Sequence, residues 1–184
     1  RDVLEIAYET RYDQYDVFID KIEPLVPRFL RYTVPERLSV TGEVLKELDE
    51  ESVRNLLPVL EKAGVESVAI GFLHAYVDDA HEQRARDILR AGNPNFTITL
   101  SSEVCPEVRE YERFTTASAN AYVQPLMARY LTRLKAALDE RGLTGALFMM
   151  TSGGGLTTLE TAVRFPIRLV ESGPAGGAIL ASGI

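Results

Sequence analysis

The chain has 184 residues, 46% hydrophobic and 26% charged, which allows one domain or two small ones and excludes global disorder. Its 20 Lys and Arg against 27 Asp and Glu leave a net charge of −7, which argues against nucleic acid or an anionic membrane surface as a partner. A single cysteine, Cys105, rules out an internal disulfide or a cysteine-based zinc site and favours a reducing compartment.

No apolar stretch approaches the ~20 residues of a membrane span. The opening RDVLEIAYETRYDQYD carries no apolar signal segment and no initiator Met, so the chain reads as processed or as a fragment. Tyr8, Tyr12, Tyr15 and Phe18 recur at about one helical turn. Pro24, Pro27 and Pro35 then enforce extended or looped chain. Arg31 to Val34 reads as a strand.

From Thr41 the pattern becomes regular. Asp49 or Glu50 starts a helix with Val53, Leu56, Leu57 and Leu60 on one face, stopped by Gly64. VESVAIGF, residues 65–72, reads as a buried strand. Asp78 or Asp79 caps a helix to Arg90, ended by Gly92 and Pro94. FTITL, residues 96–100, is a second buried strand. Pro106 opens a long helix running to Arg141, with a break or kink expected near Pro125. Leu126, Tyr130, Leu134 and Leu138, widened by Met127, Leu131 and Ala137, form one apolar stripe. A third strand covers residues 146–150. A short helix follows over 159–164, a fourth strand over 167–170, and a small-residue helix over 175–181. This alternation predicts an α/β layering with a largely parallel sheet.

Two turns are rich in glycine. TSGGGL follows a predicted strand, and Ser152, Gly153, Gly154 and Gly155 offer a tight turn with N–H groups and a hydroxyl for an anion. It matches neither the Walker A pattern nor GxGxxG, and a plain strand-to-helix connection stays open beside the anion cradle. In ESGPAGGAILASG, Ser172, Gly173, Gly176 and Gly177 open a helix almost bare of side chains. Two helical glycines cost roughly 1–2 kcal/mol against alanine, which fits close approach of a ligand or of another helix.

PEVREYERFTT places Glu107, Arg109, Glu110, Tyr111, Glu112 and Arg113 within two turns. Such a cluster lines a cleft, where carboxylates activate water and arginines hold anions, or is a solvated helix face. His74 and His81, with Asp78 and Asp79 between them, read as structural or incidental, and no metal site is assigned. No Gly-x-Ser-x-Gly elbow occurs.

Together these stretches resemble the hydantoinase A/5-oxoprolinase family, which includes the acetone carboxylase β subunit. RDVLEIA, EPLVPR, PERLSVTGEVLKELDE, GVESVAIGFLHAY, SSEVCPEVREYERFTT, ANAYVQPLMARYLTRL, LFMMTSGGGL and ESGPAGGA occur in the family's order and cover nearly the whole chain. The resemblance implies an internal fragment of an actin/sugar-kinase-like (ribonuclease H-like) ATPase fold. Residues 1–112 would be the C-terminal part of the family's N-terminal domain and 113–184 the start of its main domain. Both of the family's Gly-Gly-Thr phosphate loops fall outside the fragment, which alone is expected to be inactive.

The implied activity of the parent is ATP- and Mg-dependent opening of a cyclic amide, a hydantoin or 5-oxoproline, in the cytoplasm. Ser152–Gly155 with Ser172, Gly173, Gly176 and Gly177 would border the nucleotide cleft, and Glu107 to Arg113 the substrate side, with no base assigned. A second hydantoinase or carboxylase subunit is an implied partner. The alternatives are an acetone-carboxylase-type subunit and a non-catalytic interaction module of the actin-like fold.

Overall fold

The computed structural model describes residues 1–7, 15–18, 20 and 22–182. Tyr8 and Tyr12 of the aromatic series, and Gly183, lie outside the described residues. The chain divides into two compact units, Arg1–Ala119 and Asn120–Ile184.

The first unit opens with a single helical turn, α1 (Val3–Ile6), and a 3-10 turn at Arg28–Leu30. Arg31 to Val34 joins no strand. The Arg31 guanidinium is buried instead, donating to the Val26 carbonyl at 2.8 Å and to Glu5 at 2.9 Å, while Val34 packs on the core. β1 (Arg37–Leu38) and β2 (Val44–Lys46) form an antiparallel pair.

α2 (Glu50–Lys62) starts where expected, because the Asp49 carboxylate accepts from the Ser52 N–H at 3.0 Å. Gly64 follows its end at φ +66°, a left-handed conformation that glycine adopts freely. β3 (Ser67–Ile70), α3 (Ala80–Gly92) and β4 (Thr97–Leu100) form a β-α-β unit whose strands pair in parallel, Ser67 opposite Thr97 and Ile70 opposite Leu100. Val53 and Leu60 of α2, Ala85, Ile88 and Leu89 of α3, and Ile70, Phe96, Ile98 and Leu100 form the core. The β-branched residues of the strands and the one-face spacing of the helices are what bury them together.

A short α4 (Ser101–Val104) follows β4 directly. The long helix α5 (Glu110–Glu140) begins four residues after Pro106, because Arg109 sits at φ +81°, which no right-handed helix can include. It passes unbroken through Pro125, although the ring removes one donor from the ladder. Leu131 of the predicted stripe is fully buried, whereas Leu126 and Tyr130 are more than half exposed.

The second unit continues with β5 (Phe148–Met150) and β6 (Leu156–Thr158), an antiparallel hairpin, then α6 (Leu159–Arg164) capped by Thr158. The predicted strand at 167–170 is a 3-10 turn, Pro166–Leu169. Pro166 presets a helical φ, and the N–H groups of Arg168 and Val170 then bond three residues back to Phe165 and Ile167. α7 (Ser172–Ser182) closes the described chain. Asn120, fully buried, ties this unit together by donating to the Arg164 carbonyl at 3.2 Å and accepting from the Ile167 N–H at 3.3 Å. The expected α/β alternation is present, and among the described residues parallel pairing is confined to β3 and β4, the other two pairs being antiparallel.

Candidate functional site

The C-terminal ends of parallel strands leave backbone groups that the sheet no longer pairs, and such ends are where α/β folds place their sites. In the first unit these ends are held by a buried carboxylate. Glu82 of α3 is fully buried, on the face shared with Ala85 and Leu89. Its Oε1 accepts from the Phe72 N–H at 3.0 Å and the Ser101 hydroxyl at 2.6 Å. Its Oε2 accepts from the Ser102 N–H at 3.0 Å and the Ser102 hydroxyl at 2.7 Å. Burial pushes the Glu82 carboxyl above its ordinary value, and these four donors pull against that rise.

Arg113, from the first turn of α5, is equally buried. Nε donates to the Ser101 hydroxyl at 3.2 Å, Nη1 to the Glu107 carbonyl at 2.9 Å and Nη2 to the Phe72 carbonyl at 2.8 Å. Its guanidinium lies 5.4 Å from the Tyr76 ring and 5.2 Å from the Phe114 ring. The backbone of Phe72 is thus held at its N–H by a carboxylate and at its carbonyl by a guanidinium.

Above this network lies an open groove of about 550 Å³, lined by Tyr76, Pro106, Glu107, Val108, Arg109 and Glu112. Glu112 Oε1 is 3.8 Å from Arg109 Nη1, an ion pair too long for a hydrogen bond, and Glu112 Oε2 is buried with no partner. The ring of His74, a residue at φ +60°, stands edge-on to Tyr76 with centroids 6.0 Å apart. His74 Nδ1 is also buried and unpartnered.

The charged stretch read from the sequence therefore separates into roles. Glu107, Arg109 and Glu112 line the groove, Arg113 lies beneath it, and Glu110 and Tyr111 are half-buried outside the lining. Glu82, Ser101 and Ser102 were not singled out by sequence. The signal for Glu82 was a carboxylate in register with the apolar face of its helix. His81 is buried against Glu36, Nδ1 to Oε2 at 3.0 Å, while Asp78 accepts from the Ala80 N–H and Asp79 from the Gln83 amide. These side chains do not converge, and among the described residues no group of three His, Cys, Asp or Glu is placed to hold a metal.

In the second unit the TSGGG segment is the turn of the β5–β6 hairpin, not a strand-to-helix connection. Gly154, at φ +81°, donates to the Thr151 carbonyl at 3.0 Å. The Ser152 N–H and hydroxyl both point to the Arg168 carbonyl, at 2.9 and 3.3 Å. Those donors of Ser152 and Gly154 are committed within the chain. Of the α7 residues, Ser172 is half-buried, and a Cβ added at Gly173, Gly176 or Gly177 would meet nothing within 4 Å, which leaves that face open to another surface.

Residues 1–92 match the family described as hydantoinase/oxoprolinase N-terminal region, and residues 113–184 the family described as hydantoinase/oxoprolinase. The chain belongs to the hydantoinase/oxoprolinase family. It is 33% identical over 176 residues to the caprolactamase subunit alpha of Pseudomonas jessenii, covering 95% of this chain and 25% of that protein. It is 32% identical to the 5-oxoprolinase of Saccharomyces cerevisiae, covering 97% of this chain and 16% of that one.

The crystal structure of the ATP-dependent caprolactamase from Pseudomonas jessenii superposes with a TM-score of 0.85 at 33% identity, over 95% of this chain and 26% of that one. The nucleotide-free structure of acetone carboxylase superposes with a TM-score of 0.77 at 29% identity, over 86% and 22%. This hydantoinase/oxoprolinase segment thus spans about a quarter or less of the length of these relatives, and it shares their actin-like ATPase fold. No described helix is long and apolar enough to cross a membrane.

Proposed function

We propose that this chain is a segment of an ATP-dependent cyclic-amide hydrolase. The observation that carries the reading is the likeness to the ATP-dependent caprolactamase over 95% of the chain, TM-score 0.85 at 33% identity. A caprolactam ring is a cyclic amide, and 5-oxoproline, named in a second relative, is another. On this reading residues 1–112 complete an N-terminal domain and 113–184 open the main one. The groove at Glu107, Arg109 and Glu112 faces substrate, with Glu110, Tyr111 and Arg113 supporting it. The hairpin turn Ser152–Gly155 and the α7 residues Ser172, Gly173, Gly176 and Gly177 border the nucleotide cleft as a contact surface. The phosphate grip and Mg²⁺ site belong to the rest of the parent, and a second subunit completes the assembly in the cytoplasm.

The likeness to acetone carboxylase favours a second reading, ATP-dependent carboxylation of a ketone. Measuring ATP turnover by the intact protein with Mg²⁺ separates the two. The panel is ε-caprolactam, hydantoins, 5-oxoproline, and acetone with bicarbonate. Stimulation by a cyclic amide, with ring-opened product appearing in step, is the expected result. Stimulation by acetone with bicarbonate alone moves the protein to the carboxylase reading, and no response to any cyclic amide refutes the hydrolase.

A further inference from the structure

The second unit departs in charge from the rest of the chain. Residues 120–184 carry six Lys and Arg against four Asp and Glu, in a chain whose net charge is −7. Two of these arginines share one ring. The guanidinium carbons of Arg164 and Arg168 each lie 4.9 Å from the centroid of Phe165. The ring is buried, whereas both arginines are exposed. An aromatic ring attracts a guanidinium, so Phe165 gathers two positive charges into one small patch.

The two backbones are held from different sides. Arg164 ends α6, and its carbonyl accepts from the buried Asn120 amide at 3.2 Å. Arg168 lies in the 3-10 turn, where its N–H donates to the Phe165 carbonyl at 3.1 Å and its carbonyl accepts from the Ser152 N–H at 2.9 Å. Both side chains therefore start from fixed points, and the ring restricts where their heads go, which lowers the entropy cost of ordering them on a ligand. Two like charges held close repel, and an anion between them removes that repulsion. Each guanidinium presents a fork of N–H donors that matches two oxygens. One fork already satisfies a carboxylate. Two forks and two charges match a phosphate group, with at least three terminal oxygens and a charge of about −2 at neutral pH.

We propose that Arg164 and Arg168, spread on Phe165, form a binding site for a phosphate group. A free phosphate ion and the terminal phosphate of a nucleotide present the same oxygens to the pair. The site does not rest on the cyclic-amide reading, and its failure would leave that reading as it stands.

The test is arginine modification of the intact protein by p-hydroxyphenylglyoxal, mapped residue by residue by mass spectrometry. Arg129 and Arg133, exposed on α5, are the internal controls. Inorganic phosphate is expected to slow modification of Arg164 and Arg168 together by about tenfold, the size of effect of a hydrogen bond to a charged group, and to leave the controls unchanged. Acetate at matched ionic strength is expected to protect neither. In Arg168→Lys, which keeps the charge and loses the fork, phosphate should no longer protect Arg164. ADP separates the two sources. Protection by ADP at lower concentration than phosphate assigns the site to a nucleotide, and protection by phosphate alone assigns it to the free ion. Absence of protection by both, equal protection by acetate, equal slowing at Arg129 and Arg133, or a pair that does not react even without phosphate overturns the proposal.

Discussion

The Ser101 hydroxyl donates to Glu82 at 2.6 Å, and the same oxygen accepts from Arg113 at 3.2 Å, so one serine links two buried opposite charges. Removing Glu82 breaks the link at its most costly point. Glu82→Ala leaves four donors and the Arg113 charge uncompensated, and is expected to destabilise the first unit by about 3 kcal/mol or more in urea unfolding.

Glu82→Gln isolates the titration of the same group. Because burial holds the native carboxyl above its ordinary value of 4.5, the native state keeps its proton to higher pH than the unfolded chain. The contribution of Glu82 to stability therefore falls as pH rises from 4.5 through the native value and is constant above it. Urea midpoints measured from pH 4.5 upward should show the wild type losing ground to Glu82→Gln as pH increases.

Arg113→Lys tests whether charge or geometry holds the floor of the groove. One ammonium cannot serve the Ser101 hydroxyl and the Glu107 and Phe72 carbonyls together. The substitution is expected to cost about 2–3 kcal/mol despite keeping the charge. Equal stability by thermal melting would show the three bonds to be dispensable.

Glu50 gives the opposite pH response. Hydrogen bonds from Arg84, then from Arg54, hold its carboxyl down at about 2 against an ordinary 4.5. Its contribution is present above pH 4.5 and is lost as pH falls through the native value near 2. Glu50→Gln should flatten that acid limb, and added salt should mimic it because the pair is exposed. An unchanged acid limb would exclude the pair as its cause.

Two glycine-to-alanine changes should act in opposite directions. A Cβ at Gly71 would lie 2.5 Å from two ring carbons of Phe114, so Gly71→Ala is expected to cost about 1–3 kcal/mol. A Cβ at Gly176 meets open space, so Gly176→Ala should stabilise the second unit of this chain by about 1 kcal/mol through helix propensity. Denaturant midpoints of both variants decide the matter. Loss of stability at Gly176 would mean that a surface does press on α7.

α2, β3, α3 and β4 were legible because Asp49, the spacing of Val53 and Leu60, and the β-branched Val68 and Ile98 all act locally. Residues 167–170 misled because a four-residue apolar run carries no period of its own, and Pro166 decided it. The hairpin at TSGGG was hidden by the brevity of β6, three residues beside a recognisable helix. In the charged stretch, adjacency in sequence said nothing of depth. Only the left-handed Arg109 and the reach of Arg113 to Phe72, 41 residues away, sort one arginine to the surface and the next to the interior.

That reach also bears on the order of folding. Arg113 cannot shed its water until Phe72, Ser101 and Glu107 are all in place, and Glu82 cannot stay buried without the same strand ends. Burying the guanidinium without these partners would leave its charge uncompensated, which is costly. Opening of these strand ends is therefore expected to expose both groups together, and hydrogen exchange at Phe72 and Ser102 should report the same opening event.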